Sequence, residues 1–242
     1  MGEPADPRHP PGPLLGSGRA AEVYDLGDGT VLRRYRRADR DASYEARVMA
    51  MMAAAGVRVP AVRRADGPDL VMERIDGPTM LEALGAAPWM LPQFARLLSR
   101  LQREIAAVEA PDWMLASSAS PTQRHSVLHL DLHPMNVLMS PVGPTVIDWT
   151  NAAGGPAGFD AALTVVLGAT SEVGTSVVER LGQRLFVAAF RRLRGHGLIE
   201  PYLAAACDHR LADPALTPGE RVAVAAMRTR VRRRRAERNN RS

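Results

Sequence analysis

The sequence contains no lysine: each of its 31 basic residues is an arginine. Together with the abundance of alanine, this indicates the coding bias of a GC-rich genome rather than local selection for guanidinium groups. Lysine is therefore excluded from every catalytic and phosphate-binding position. Wherever a lysine is the usual residue, a different side chain must stand in its place.

Cysteine is almost absent, and long apolar runs are missing altogether. Cys207 is the only cysteine, which excludes an intramolecular disulfide and fits a reducing compartment, and we expect a buried, inert thiol. No apolar run reaches the length of a membrane span. The proline-rich, polar residues 1–13 lack the apolar core of a signal peptide, and we expect them to be disordered. These features predict a cytoplasmic protein.

Acidic residues are scarce at the C-terminus. The chain has a net charge of +5, but residues 228–242 hold eight arginines and one glutamate, a net charge of +7, which leaves the remainder at −2. We interpret 228–242 as a solvated, Arg-rich basic tail. Binding of this tail to nucleic acid or to another anionic surface is the alternative.

The most informative segment is 129–149, HLDLHPMNVLMSPVGPTVIDW. Two short apolar runs, at 137–139 and 145–147, flank a Pro/Gly turn at 141–144, which predicts a β-hairpin. A hairpin brings its open ends together. The polar residues just before the first run and just after the second are therefore expected to lie close to one another.

Three side chains that carry oxygen atoms stand at these open ends. Asp131 and Asn136 precede the first strand, and Asp148 follows the second. Hard oxygen ligands of this kind suit Mg²⁺, which proteins usually hold with one or two carboxylates together with substrate phosphates. The segment therefore predicts a magnesium site.

The spacing of these residues matches a catalytic pattern. His129-x-Asp131-x-x-x-x-Asn136 has the form of the protein-kinase catalytic loop, and Asp148-Trp149 stands where that pattern has the metal-binding Asp of D-F-G. The forms HLDLHPMNVL and VIDW resemble the aminoglycoside phosphotransferase and choline kinase-like family more closely than protein kinases.

This resemblance implies a bilobal, protein kinase-like α+β fold with a small antiparallel β-sheet in the N-lobe and a mostly helical C-lobe. We place the N-lobe at 14–75 and the C-lobe at 76–227. The implied reaction is transfer of the γ-phosphate of ATP, with Mg²⁺, to a hydroxyl group of a small-molecule acceptor. Asp131 would be the catalytic base, and Asn136 and Asp148 would hold the metal.

A glycine-rich turn precedes these motifs. Gly16, Ser17 and Gly18 lie between two predicted strands, and glycines at such a turn let the backbone approach phosphates closely. Ala21 replaces the third glycine of the G-x-G-x-x-G pattern. The turn alone is weak evidence, and its position ahead of the other motifs strengthens it.

The third predicted strand carries Arg33 where kinases have a phosphate-binding lysine. The resemblance implies that Glu45, in the first turn of the next helix, pairs with this arginine. Arg34 is expected to face the opposite way, because side chains alternate along a strand. Since a forked guanidinium is not equivalent to an ammonium group, a nucleotide-binding pseudokinase acting as a scaffold is the alternative to an active enzyme.

The remaining elements follow from apolar periodicity and turn signals. We expect a helix at 41–55 with Asp41 or Ser43 as its N-cap, and strands at 61–64 and 70–72. The helices predicted for the C-lobe are at 79–84, 89–108, 160–170, 174–194, 199–206 and 217–232.

Two further assignments depend on the resemblance. It implies that the hinge between the lobes binds adenine through the backbone carbonyl at Glu73 and the backbone amide of Ile75. It also implies that Asp160 braces the catalytic loop. From the residues themselves we favour a purely structural role for Asp160, as a helix N-cap.

Other interpretations of the chain remain. His129, Asp131 and His133 alternate and would share one face of a strand, where they could bind zinc, although Pro134 and the kinase-like spacing argue against this. Through its basic tail the chain could be an anion-binding adaptor. The C-terminal third mixes carboxylates with many arginines, which does not select a polycationic acceptor, so the sequence leaves the acceptor open.

Overall fold

The computed structural model describes residues 12–18, 20–119, 125–172 and 176–239. The expectation of disorder at 1–13 falls almost entirely outside this range. The chain forms two compact units. The N-terminal unit ends at Gly77 and also includes Leu138–Thr150, and the C-terminal unit comprises Pro78–Val137 and the chain from Asn151 onward. The boundaries given above for the two lobes stay predictions.

The N-terminal unit contains a five-stranded antiparallel sheet in the order β1-β2-β3-β5-β4. Its turn between β2 and β3 needs glycine, because Gly27 and Gly29 have φ values of 79° and 77°. The carboxylate of Asp28 accepts the backbone N–H of Thr30 at 3.0 Å and closes the turn. The strands are β1 (Leu14–Ser17), β2 (Ala21–Asp25), β3 (Thr30–Tyr35), β4 (Val62–Asp66) and β5 (Asp69–Glu73).

Helix α1 (Ser43–Ala54) packs beside this sheet, in contact with β4. Its buried residues are spaced three and four apart and so form one face: Glu45, Val48, Met49 and Met52. The predicted side-chain N-cap is wrong. Ala42 occupies the N-cap position, and Asp41 instead accepts the backbone N–H of Ser43 at 2.8 Å in a turn ahead of the helix.

The predicted hairpin is present, with different bounds. Strands β7 (Val137–Ser140) and β8 (Gly143–Val146) pair in a two-stranded sheet, so the turn is only two residues long and the second strand ends before Ile147. Gly77 lies against this hairpin, because an added Cβ there would come within 2.3 Å of the carbonyl oxygen of Met139.

The C-terminal unit is mostly helical. In this unit, strands β6 (Ser126–Leu128) and β9 (Ala153–Gly155) pair in an antiparallel ladder, and nearly every residue of α4 is buried. The helices of this unit are α2 (Met80–Ala86), α3 (Leu91–Ala106), α4 (Ala157–Thr170), α5 (Val177–Arg194), α6 (His196–Ile199), α7 (Leu203–Leu211) and α8 (Pro218–Asn239).

Helix α8 continues seven residues beyond its predicted end at 232, into the part of the chain that we interpreted as a solvated tail. Arginine is a good helix former, and Asp208 holds the middle of the helix through Arg228 and Arg232 at 3.0 and 2.8 Å. Side chains 232–238 are exposed. Whether they bind an anionic partner stays a prediction.

Among the described residues, no helix is both long and apolar enough to cross a membrane. Cys207 is buried in α7, as expected from its Ala-rich surroundings. Location in the cytoplasm stays a prediction.

Candidate active site

The loop that holds Asp131 follows β6 and has an uncommon backbone conformation at Leu130, whose φ is 63°. A left-handed conformation is unfavourable for a leucine and persists only where the surroundings enforce it. The buried His129 contributes, since its Nδ1 accepts the backbone N–H of Asp131 at 3.2 Å. The side chain of Asp131 itself is 26% exposed, so it is accessible to a small molecule.

Asp160 provides the stronger support for this loop. Its Oδ1 accepts the backbone N–H of Leu130 at 2.7 Å, and its Oδ2 accepts Nε2 of Gln102 at 3.2 Å. Burial raises the pKa of Asp160, and the N–H of Leu130 opposes that shift. The N-cap interpretation was therefore wrong: Pro156 is the N-cap of α4, and Asp160 lies in its first turn.

Asn136 is oriented by Asp131. Its Nδ2 donates to the backbone carbonyl of Asp131 at 2.9 Å and lies 3.3 Å from Oδ2 of the same residue. The amide nitrogen is thus directed at Asp131, and the amide oxygen points to the other side of the group. His133 begins the short helical turn Pro134–Asn136, and its Nδ1 accepts the N–H of Met135 at 3.3 Å.

The described residues do not form the ligand cluster that the zinc alternative requires. Across the described parts of the chain, no group of three or more His, Cys, Asp and Glu side chains is arranged to hold a metal ion. His129 is fully buried and turned toward the backbone of its own loop, whereas His133 lies 3.5 Å from Asp131.

The N-terminal unit holds the second group of predicted residues, centred on Arg33. Its Nη1 donates to Oε1 of Glu45, the expected partner, and its Nη2 donates to Oδ1 of Asp148 at 2.7 Å. Burial alone would lower the pKa of Arg33, but the two carboxylates reverse this and hold the pKa above its ordinary value. Arg34 faces elsewhere, as expected, and forms a forked ion pair with Asp69 at 2.7 Å.

Glu45 accepts hydrogen bonds from three groups in the interior of this unit. The donors are Arg33, the hydroxyl of Tyr35 and the backbone N–H of Trp149, the last at 3.0 Å. Burial raises the pKa of Glu45, and the charge of Arg33 opposes that shift. The glutamate therefore ties β3 and α1 to the segment that carries Asp148.

Asp148, like Leu130, has a left-handed backbone conformation, with a φ of 64°. Aspartate tolerates this region better than most residues. The hydroxyl of Thr150 donates to Oδ1 of Asp148 at 2.8 Å and lies 3.0 Å from the hydroxyl of Tyr35. Neither Thr150 nor Tyr35 is predicted from the sequence. The one available signal was that Tyr35 lies two residues after Arg33, on the same face of β3.

The glycine-rich turn is shorter than predicted, because Gly16 and Ser17 belong to β1, where they pair with Val23 and Glu22, and only Gly18 follows the strand. The backbone N–H of Gly18 donates to the carbonyl of Ala21 at 2.9 Å, and Arg36 donates to Oγ of Ser17 at 2.6 Å. At Gly16 an added Cβ would meet no atom within 4 Å, so the fold itself does not require glycine there. Its small size would serve the close approach of a ligand.

The two predicted hinge residues lie at and just after the end of β5. Glu73 pairs with Ala61, donating its N–H at 2.8 Å and accepting the N–H of Ala61 on its side chain at 3.1 Å. Ile75 follows Arg74, whose N–H donates to the carbonyl of Gly29 at 2.9 Å. Adenine binding by Glu73 and Ile75 stays a prediction.

Comparison with known proteins identifies the family. The APH model, described as the phosphotransferase enzyme family, matches residues 12–121 and 88–196, well over half of the chain. The chain belongs to this phosphotransferase family. The resemblance noted from HLDLHPMNVL and VIDW is confirmed. No curated protein matches the sequence significantly.

Solved structures of family members share the fold. Aminoglycoside phosphotransferase APH(4)-Ia is 18% identical, with a TM-score of 0.59 and 90% of each chain covered. A choline/ethanolamine kinase family protein from Mesorhizobium loti is 17% identical, with a TM-score of 0.56, covering 94% of this chain and 90% of its own. The gentamicin complex of APH(2″)-IIa is 12% identical, with a TM-score of 0.60 and coverages of 82% and 81%. The predicted protein kinase-like α+β fold is confirmed.

Proposed function

We propose that this phosphotransferase moves the γ-phosphate of ATP to a hydroxyl group of a small-molecule acceptor. The observation that carries the proposal is the contact of Arg33 with both Glu45 and Asp148. It joins the proposed phosphate-binding cation, its partner acid and the proposed metal-binding acid in one network. Phosphoryl transfer depends mainly on such positioning and on electrostatic stabilisation.

Asn136 and Asp148 would hold the magnesium ion. Their donor set fits, because both offer hard oxygen atoms and the amide nitrogen of Asn136 is already directed at Asp131. Asp148 is about one-third exposed, which leaves its carboxylate reachable although Arg33 and Thr150 contact Oδ1. When bound, the ion supplies neutralisation of the negative charge on the phosphate oxygens.

Asp131 would accept the proton of the acceptor hydroxyl. Its carboxylate is partly exposed, and Nδ2 of Asn136 lies 3.3 Å from Oδ2, which restricts the orientation of the acid. Asp160 supports the backbone of this loop through the N–H of Leu130, directly before Asp131. A base that is already held in place reduces the entropy that is lost on reaching a reactive geometry.

ATP would bind through backbone groups and one cation. Gly16, Ser17 and Gly18 would approach the phosphates, Arg33 would offer its remaining N–H groups to them, and Glu73 and Ile75 would bond the adenine. In support, structures of related proteins are described as a streptomycin–ATP complex of APH(2″)-IIa and a complex of APH(4)-Ia with AMP-PNP and hygromycin B.

The acceptor class is wider than aminoglycosides. Several carboxylates of the C-terminal unit are neutralised by arginines of the same unit: Asp208 by Arg228 and Arg232, Asp213 by Arg210, and Glu200 by Arg191. A polycationic acceptor needs uncompensated acids, which these pairs do not provide. A choline/ethanolamine kinase family protein is among the structures that share the fold, so we propose a hydroxylated small molecule and do not restrict the charge of the acceptor.

A pseudokinase scaffold is the second candidate. Arg33 is only 6% exposed and is bound to two carboxylates, an arrangement that would also suit a stable structural core without turnover. Such a protein would bind the nucleotide but would neither hydrolyse it nor transfer its phosphate.

ADP release separates these functions. The purified chain is mixed with ATP, Mg²⁺ and a panel of hydroxylated acceptors that includes amino sugars, amino alcohols and sugars. The proposal predicts acceptor-dependent ADP release that disappears on chelation of the metal. Nucleotide binding without ADP release under any condition would favour the scaffold.

A further inference from the structure

Tyr35 and Arg33 reach the same glutamate from the same face of β3. Their side chains lie on one side of the strand because they are two residues apart. Arg33 donates to Oε1 of Glu45 and Tyr35 donates to Oε2. The guanidinium carbon of Arg33 also lies 5.2 Å from the centre of the Tyr35 ring. Both oxygens of the glutamate are thereby fixed from a single strand.

Asp148 is the second carboxylate that Arg33 contacts, through its other terminal nitrogen. Its Oδ1 accepts Nη2 of Arg33 at 2.7 Å and the hydroxyl of Thr150 at 2.8 Å. The hydroxyl of Thr150 lies 3.0 Å from that of Tyr35. Arg33, Asp148, Thr150, Tyr35 and Glu45 therefore form a closed ring of polar contacts, all within the N-terminal unit.

We propose that Tyr35 and Thr150 are positioning residues, which hold the carboxylate of Asp148 and the guanidinium of Arg33 in the orientation that a magnesium–nucleotide complex requires. This inference rests on the proposed phosphotransferase function. Asp148 has a left-handed backbone, a conformation that persists where the surrounding structure enforces it. Two donors on one oxygen fix that carboxylate, and one of the two is Thr150.

The two hydroxyls serve this role without adding charge. Arg33 contributes charge as well as geometry, so its loss changes both at once. Removing the hydroxyl of Tyr35 or of Thr150 leaves the net charge of the ring unchanged and withdraws the two contacts that this hydroxyl makes. Groups that orient a metal ligand from behind typically affect metal affinity or activity by about 10–100-fold.

Three substitutions test the inference: Tyr35→Phe, Thr150→Val and Thr150→Ser. We expect Tyr35→Phe and Thr150→Val to weaken Mg²⁺-dependent ATP binding by about 10-fold or more, as for other residues behind metal ligands. For Thr150→Val, affinity for ATP measured with a chelator present should stay close to that of the wild type, because the hydroxyl of Thr150 is bonded to Asp148, the proposed metal ligand. Thr150→Ser keeps the hydroxyl and should restore Mg²⁺-dependent binding.

Tyr24→Phe is the matched control. Tyr24 also donates its hydroxyl to a glutamate, Glu22, but this pair lies on β2 outside the ring. We expect its Mg²⁺-dependent ATP binding to equal that of the wild type. Thermal melting of each variant, followed by circular dichroism, shows whether a loss of binding comes from unfolding.

The possible outcomes are distinct. If the wild type binds Mg²⁺ and ATP but Tyr35→Phe and Thr150→Val bind them equally well, the positioning role is overturned and the proposed function stands. If Thr150→Ser loses as much as Thr150→Val, the effect is one of packing and the inference is again overturned. If the wild type binds no magnesium nucleotide, the proposed function fails and the inference fails with it.

Discussion

Nη2 of Arg33 donates to Oδ1 of Asp148 at 2.7 Å although the two residues are 115 positions apart in the sequence. The same guanidinium holds Glu45 through Nη1. A forked guanidinium can bond two carboxylates at fixed angles, whereas an ammonium group is a compact point charge. In a chain without lysine, this fork gives the proposed active site a cation with a defined geometry.

The first prediction concerns the paired arginines of β3. Arg33→Ala should lower the free energy of unfolding by about 3–5 kcal/mol, because it leaves Glu45 without its cation in the interior. It should also abolish ATP binding. Arg34→Ala removes a half-buried pair with Asp69 and should cost about 1 kcal/mol or less. Urea denaturation and calorimetric titration with ATP measure both effects.

Arg33→Lys tests adaptation at the same position. An ammonium group cannot reproduce two hydrogen bonds with the geometry of the fork, so we expect ATP turnover at or below that of the wild type. A clear gain in turnover would indicate that the arginine is a decayed lysine site. Equal losses for Arg33→Ala and Arg34→Ala would contradict the role given to Arg33.

The second prediction concerns the base. Asp131→Asn should reduce phosphoryl transfer by about 10²–10⁴-fold, the usual contribution of a general base. Affinity for ATP should be nearly unchanged, because the base acts on the acceptor. Asp39→Asn, at an exposed ion pair with Arg37, is the control and should behave as the wild type. Retention of most of the transfer rate in Asp131→Asn would remove this residue from the role.

Local patterns indicated the residues of the proposed site, whose roles stay predictions. The spacing of Asp131, Asn136 and Asp148 and the turns around the strands are set by neighbours in sequence, and the motifs were recognisable for that reason. The family resemblance supplied the pairing of Arg33 with Glu45. It also implies that Asp160 supports the loop of Asp131, whereas the residues themselves favour an N-cap.

Contacts that depend on distant packing were missed. Thr150 meets Tyr35 only because the chain folds back over 115 residues, and no local period indicates such a contact. The N-cap interpretation of Asp160 followed a local preference, whereas the buried carboxylate is satisfied by Leu130 and Gln102 from other elements. Helix α8 extends beyond its predicted end although its last turns are rich in like charges, because arginine is a good helix former and Asp208 pairs with Arg228 and Arg232.

The third prediction concerns Asp160 and pH. Burial raises the pKa of this acid in the folded protein, so the folded state keeps the proton to a higher pH than the unfolded state does. Its contribution to stability is therefore fully present below the unfolded value of about 3.9 and is lost as the pH rises through the folded pKa. Asp160→Asn should remove this component of the pH dependence, because the amide does not titrate. Urea denaturation across a pH series compares the two proteins.

Asp160→Ala is the companion variant. It leaves the backbone N–H of Leu130 buried without its acceptor, which should cost about 1–3 kcal/mol or somewhat more for a charged partner. The left-handed conformation of Leu130 should relax, and phosphoryl transfer should fall with it. An alanine variant as stable and as active as the wild type would show that the loop needs no support from α4.

The fourth prediction concerns Cys207. Burial raises the pKa of its thiol to about 11, compared with about 8.5 for a free cysteine, so the reactive thiolate is scarce in the folded protein. A thiol-specific reagent at about pH 8 should label the native chain slowly and the urea-unfolded chain rapidly. Rapid, stoichiometric labelling of the native chain would contradict the buried position.

The most direct test of the central claim is transfer of phosphate itself. The wild type, Asp131→Asn and Asp39→Asn are each incubated with ATP, Mg²⁺ and a pool of hydroxylated small molecules, and the pool is examined by mass spectrometry. The account predicts a phosphorylated acceptor with the wild type and Asp39→Asn, and a loss of about 10²–10⁴-fold with Asp131→Asn. Bound ATP with no phosphorylated product from the wild type, or equal product from Asp131→Asn, would contradict it.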